Sequence, residues 1–199
     1  MSRWLRGSNE SSVKSCANAA SIQKANPTPT ANTAMKTKIL VSACLLGHEV
    51  RYNGSAKAQL LPTLERWRQE GRLVVHCPEL AAGLPTPRLP AEIVASQGRA
   101  VMQGRGRIVE SSGHDVTAHY QLAAWLALKA ATEGGCRVAL LTDGSPTCGS
   151  RFIYDGSFSG QRKPGEGVAA ALLREHGIEV FSEEQLAELI ARVEKMDAD

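Results

Sequence analysis

Long apolar runs are missing from this chain. No uninterrupted stretch approaches the roughly 20 residues that a membrane-spanning helix requires, so no membrane partner is expected. Cysteine is sparse: five residues in 199, odd in number and scattered. That excludes the dense framework of a secreted disulfide scaffold. It points to a reducing cytoplasm, where clustered cysteines more often serve metals or catalysis than cross-links. Excess charge is also missing from most of the chain. The formal net charge is +3, but Arg3, Arg6, Lys14 and Lys24 stand against only Glu10 in residues 1–34. The remainder is balanced and offers no basic stripe for a nucleic-acid backbone.

Residues 8–33 are rich in Ser, Asn, Ala, Thr and Pro and have almost nothing to bury, so residues 1–34 are expected to form a disordered extension. The segment has no apolar core of the kind a secretory signal carries. Met35 opens almost directly onto an apolar strand pattern, which allows an alternative start there. Residues 35–199 are expected to form a single domain. At 43% hydrophobic and 22% charged, the composition is ordinary for a soluble α/β domain.

Strand patterns at 38–43, 72–76, 137–142 and 178–181 alternate with helical ones. Helices are expected at about 61–70, with Pro62 in the first turn and Gly71 at the end, and from Asp115 or Thr117 to Glu133. Two more follow, at about 167–176 and after a capping box at Ser182-x-x-Gln185. In the second helix Leu122, Trp125, Leu126 and Ala130 recur at helical spacing. Residues 92–110 suggest a β-hairpin or two short strands. Residues 83–90 hold three prolines and form a rigid, irregular wall. Residues 149–167 read as a glycine-punctuated loop. The fold expected is α/β, a three-layer sandwich around a mostly parallel sheet.

Three cysteines stand where apolar runs break into loops. They are Cys44 in Val41-Ser42-Ala43-Cys44-Leu45, Cys77 in Val75-His76-Cys77-Pro78-Glu79, and Cys148 in Ser145-Pro146-Thr147-Cys148-Gly149. If the preceding strands are neighbours in one parallel sheet, the thiols converge at its carboxyl edge, where open α/β sheets bind ligands. Three thiolates are one fewer than a closed zinc or iron–sulfur site uses. Zinc would recruit a histidine, and His76 abuts Cys77, but alternation along a strand turns His76 away. A catalytic cysteine with His76 or His48 as base needs only one of the three. An iron–sulfur cluster with one open iron suits the set better. Cys136, between Gly-Gly and a strand, reads as a small core hydrophobe.

Around the cysteines, Glu79 is a candidate general base for activating water, and Glu92 a second. Ser42 and Ser145 either orient a polar substrate or cap turns. Arg51 and Arg88 lie in loops after ligand cysteines, placed to pair with Glu79, steady a cluster's charge or hold substrate. Gly165-x-Gly167 precedes a helix N-terminus, read as a turn or an anion contact, and Asp115 reads as an N-cap. Tyr52-Asn53-Gly54-Ser55 is echoed by Tyr154-Asp155-Gly156-Ser157.

Taken in order, Ser42-Ala43-Cys44-Leu45-Leu46-Gly47, Arg51-Tyr52-Asn53-Gly54, Cys77-Pro78-Glu79, Gly83-Leu84-Pro85-x-Pro87-Arg88-x-Pro90-Ala91-Glu92, Asp115-Val116-Thr117, Ser145-Pro146-x-Cys148-Gly149 and Tyr154-Asp155-Gly156-Ser157-Phe158 resemble the bacterial thiouracil desulfurase family over about residues 37–182. The resemblance implies a [4Fe-4S] cluster held by Cys44, Cys77 and Cys148, with the fourth iron free to take the sulfur of a small thiolated pyrimidine. It implies hydrolytic, non-redox conversion of 2- or 4-thiouracil to uracil and hydrosulfide. Glu79 and Ser145 would be catalytic, and Ser42, Arg88 and Glu92 substrate-binding. The chain departs from the family pattern at Thr142, near which a lysine is frequent, and at Asn53, commonly Asp. The competing reading is a cluster-bearing redox sensor or sulfur carrier with no hydrolysis. Either a monomer or a homodimer is compatible with the sequence.

Overall fold

A computed structural model of the chain describes residues 36–59 and 61–199. The expectations for residues 1–34 lie outside the described residues. Four strands form one all-parallel sheet: β1 (Lys38–Ser42), β2 (Leu73–His76), β5 (Cys136–Leu141) and β8 (Glu179–Ser182), in the order β2-β1-β5-β8. Val41 pairs with Val75 on one side and with Leu140 on the other. The strand that precedes each of the three cysteines is therefore adjacent to another, and all point the same way.

Period-two alternation splits β1 between two cores. Ile39 and Val41, with Val138 and Leu140 of β5, pack under α1 (Pro62–Gln69) and α6 (Leu186–Ala198) through Leu64, Trp67, Leu189 and Val193. Leu40, Ala139 and Leu141 face α4 (Thr117–Glu133) and α5 (Val168–Glu175). Helices thus cover both faces of the sheet, giving the three-layer α/β sandwich. Pro62 sits in the first turn of α1, and Gly71 follows that helix at φ +65°, as the sequence suggests.

Helix α4 turns a different face inward from the one its large apolar residues suggest. Leu122 and Trp125 are 47% and 53% exposed, while Tyr120, Ala123, Ala124, Ala127, Leu128 and Ala131 are buried. An alanine stripe lets α4 lie close against α5, whose own inner residues include Ala169, Ala170 and Ala171, and the bulky positions are left outside.

Residues 92–110 hold the antiparallel pair β3 (Ala91–Val94) and β4 (Arg107–Glu110), with a short helix α3 (Gly98–Met102) between them. Residues 149–167 are more ordered than a loop: β6 (Phe152–Tyr154) and β7 (Arg162–Pro164) form a second antiparallel pair. The capping box is present, with Ser182 Oγ accepting from Glu184 N and Gln185 Oε1 from Ser182 N. It opens a 3-10 turn, Glu183–Gln185, that leads into α6. Asp115 accepts from Thr117 N at 2.9 Å, one residue short of the cap position, which Val116 occupies. No helix among the described residues is long and apolar enough to cross a membrane.

Candidate cluster site

Each cysteine is delivered by a different device at the carboxyl edge of the sheet. After β1 the chain tightens into a 3-10 turn, Ala43–Leu46, that buries Cys44 and ends at Gly47 with φ +93°. After β2, Cys77 stays extended, and Pro78 then starts the one-turn helix α2 (Pro78–Ala81). Proline suits that first helical position because its missing N–H needs no partner there. The third cysteine, Cys148, stands seven residues beyond β5, at the end of a loop that must be held from outside.

Two arrangements hold that loop. Asp143 Oδ1 accepts from Ser150 N at 2.7 Å and Arg151 N at 2.9 Å, while Asp143 N donates to Glu183 Oε2 at 2.9 Å. Ser145 Oγ accepts from Thr147 N and Cys148 N at 3.0 and 3.1 Å. From the other side, the first N–H groups of α5 bind the loop's carbonyls: Val168 N to Pro146 O and Ala169 N to Thr147 O, both 2.9 Å. The helix terminus is therefore filled by this chain's own backbone rather than offered to an anion. Gly167 makes this approach possible, since a Cβ there would lie 2.6 Å from the Thr147 carbonyl.

Cys44, Cys77 and Cys148 line a single cavity of about 420 Å³. Burial pushes all three thiols above the usual value of 9.0, Cys148 furthest, because a buried thiolate is poorly solvated. Thiols buried together in this way stay protonated until a metal supplies the compensating charge. Among the described residues no three His, Cys, Asp or Glu side chains converge on one ion position. A four-iron cluster takes each thiolate at a separate iron, so its ligands need not meet at one point.

His76, the last residue of β2, is also among the residues that line the cavity. Its ring is half-buried, which holds its pKa below the ordinary value. Cys136 lies in the core beneath α4, apart from the cavity, with its thiol pushed up to about 11 by burial.

Glu79 is 8% exposed and engaged at both carboxylate oxygens. Its Oε1 accepts from Thr147 Oγ1 at 2.6 Å and Ser145 Oγ at 3.1 Å, and its Oε2 pairs with Arg88. Arg88, 4% exposed at its side chain, also reaches the Pro85 carbonyl and Thr86 Oγ1. Its guanidinium is thus committed to Glu79 and to the proline-rich wall. Glu92, also buried, accepts from Gly156 N and Phe158 N at 2.9 and 3.1 Å, tying the β6–β7 loop to β3. Ser42, Ser145, Arg88 and Glu92 all line the cavity.

The repeated Tyr-Asn/Asp-Gly-Ser segments are two copies of one turn. Ser55 N donates to Asn53 Oδ1 at 3.2 Å and Ser157 N to Asp155 Oδ1 at 2.9 Å, and each turn carries its tyrosine, Tyr52 or Tyr154, onto the cavity. Thr147 and Asp143 are the positions that sequence reasoning passed over. Thr147 is the unspecified residue of Ser-Pro-x-Cys, and Asp143 finds its partners only once the Cys148 loop folds back on it and β8 brings Glu183 beside the end of β5.

The chain is thus an α/β protein whose all-parallel sheet presents three thiols and a clamped carboxylate in one cavity. Residues 39–185 match the model of the 2-thiouracil desulfurase family, and the chain belongs to that family. It is 50% identical to a [4Fe-4S]-dependent thiouracil desulfidase, TudS, of known structure, with a TM-score of 0.72 over 80% of this chain and 99% of that one. It is 45% identical to the uncharacterised protein YbbK of Bacillus subtilis (strain 168), over 76% of this chain and 99% of YbbK.

Proposed function

We propose that this chain binds a [4Fe-4S] cluster through Cys44, Cys77 and Cys148 and removes sulfur hydrolytically from small thiolated pyrimidines. The substrate would be 2- or 4-thiouracil and the products uracil and hydrosulfide. The observation that carries this reading is the convergence of three thiols, those of Cys44 and Cys148 buried and that of Cys77 half-buried, and of the buried Glu79 on one cavity. Family membership and the TudS likeness support the cofactor and the substrate class. When bound, the cluster supplies an open iron, a Lewis acid for the thiocarbonyl sulfur that polarises the neighbouring carbon.

The chain's own residues would supply the proton chemistry. Glu79 takes a proton from water as the water oxygen attacks the carbon, and returns one as the carbon–sulfur bond breaks. Thr147, Ser145 and Arg88 fix its carboxylate while it does so. The hydroxyl of Ser145 donates to Glu79 and accepts from Thr147 N and Cys148 N, so its part in catalysis would be to hold the base against the Cys148 loop. Glu92 positions the β6–β7 loop against which the substrate would lie, and Ser42 lines the thiol side.

The test is anaerobic purification with iron and sulfide quantified, followed by 4-thiouracil without reductant. One cluster per chain and loss of the thiocarbonyl absorbance are expected. Glu79→Ala should keep the iron and lose at least about 10²-fold in turnover. Full activity in that variant refutes the assignment of the base, and a cluster without turnover returns the reading to a sensor or sulfur carrier.

A further inference from the structure

Thr142 is the first residue beyond β5 and is 6% exposed. Its Oγ1 lies 2.9 Å from Cys44 Sγ. Its backbone N–H donates to Ser42 Oγ at 3.3 Å, and Ser42 Oγ in turn lies 3.7 Å from Cys148 Sγ. Between two neutral groups either the thiol or the Thr142 hydroxyl can donate. A thiolate has lone pairs and no hydrogen, so once Cys44 is a metal ligand the hydroxyl must be the donor. The Thr142 amide occupies a lone pair of Ser42 Oγ, which leaves the Ser42 O–H to point at Cys148. Through its hydroxyl and its amide, one residue therefore aims two O–H groups at two of the three cysteines.

We propose that Thr142 is a positioning residue for the iron–sulfur group, its hydroxyl donating to the Cys44 thiolate and its amide directing Ser42 toward Cys148. The proposal rests on the cluster reading above. Hydrogen bonds to ligand sulfurs draw charge off the thiolates. They stabilise the reduced, more negative form of a cluster and so raise its reduction potential. The same withdrawal leaves the open iron more attractive to a substrate sulfur.

Thr142→Val keeps the shape of the side chain and removes only the O–H, whereas Thr142→Ser keeps the O–H. Both variants and the parent chain are reconstituted anaerobically, assayed for iron, and titrated electrochemically while the thiolate-to-iron absorption is followed. The valine variant is expected to load fully, with a potential shifted to more negative values and an altered charge-transfer band. The serine variant should match the parent. Loading lost in the valine variant and kept in the serine variant shows the same dependence on the hydroxyl and supports the proposal. An unchanged potential in the valine variant, or loading lost in both, overturns it. A parent chain that takes no iron refutes the cluster reading itself, and this inference falls with it before any variant is compared.

Discussion

Thr147, wholly buried, donates its hydroxyl to Glu79 Oε1 at 2.6 Å. This joins the loop that carries one cysteine to the helix that follows another. It is the shorter of the two hydroxyl contacts to the carboxylate. Thr147→Val should therefore lower turnover about 10-fold, the equivalent of one hydrogen bond of about 1.4 kcal/mol, with iron content unchanged. Steady-state kinetics on thiouracil beside an iron assay checks it. Wild-type kcat in the valine variant would show that Ser145 and Arg88 suffice to orient Glu79.

Arg88 and Glu79 form a pair whose side chains are only 4% and 11% exposed. Removing one member of such a pair leaves the other's charge buried without compensation, at a cost of about 3–5 kcal/mol. Arg88→Met should lower the melting temperature by roughly 6–20 °C, at 2–4 °C per kcal/mol for a chain of this size. The double variant Arg88→Met with Glu79→Gln should recover part of the loss, because the stranded charge is gone. Thermal unfolding of the three proteins separates the pair's contribution from the packing of the arginine stem.

What could be read from the sequence here was whatever rests on strong local chemistry. Pro62 and Gly71 bracket a helix, strands alternate with helices, and Cys44 and Cys77 each sit within two residues of a strand end. These features need no knowledge of distant partners. Helix α4 shows the limit. Its large apolar residues suggest one buried face, but close packing on α5 selects the alanines, and Leu122 and Trp125 stay outside. The pairing of β6 with β7 was hidden by the glycines around it, since three-residue strands carry too little alternation to register. Within the site, Glu79 was visible beside a cysteine, but its partner Thr147 lies 68 residues away, and only the placement of β2 and β5 on either side of β1 brings the two together.

The approach of α5 to the Cys148 loop gives a further test. A Cβ on Gly167 would sit 2.6 Å from the Thr147 carbonyl, so Gly167→Ala must push the loop off the helix terminus. Overpacking of this kind costs about 1–3 kcal/mol, and the displaced loop should take Cys148 with it. Iron content should then fall well below one cluster per chain. Gly177→Ala is the control. Gly177 has φ +77° with open space around it, so alanine there adds about 1 kcal/mol of backbone strain and should leave loading intact. Equal iron in both variants would mean that the α5 contact does not position the cysteine.

Folding and cluster loading should respond to pH in opposite directions. Burial raises the thiols of Cys44, Cys77 and Cys148 above 9.0, so at neutral pH each must release a proton to become a ligand. Loading of the apoprotein should therefore become more favourable as pH rises from 7 toward 9. Cys136 takes no part in loading, and its thiol titrates at about 11 in the fold against 9.0 in the unfolded chain. Between those values the unfolded chain has lost a proton that the folded chain keeps, so the unfolded state binds fewer protons and stability falls with rising pH. The contribution is complete below about 9 and gone by about 11. Apoprotein melting temperatures should fall across that window, less steeply in Cys136→Ala, while iron uptake measured from pH 7 to 9 climbs. A melting temperature that is flat from 9 to 11 in the parent chain would show that the thiols ionise as freely in the fold as outside it.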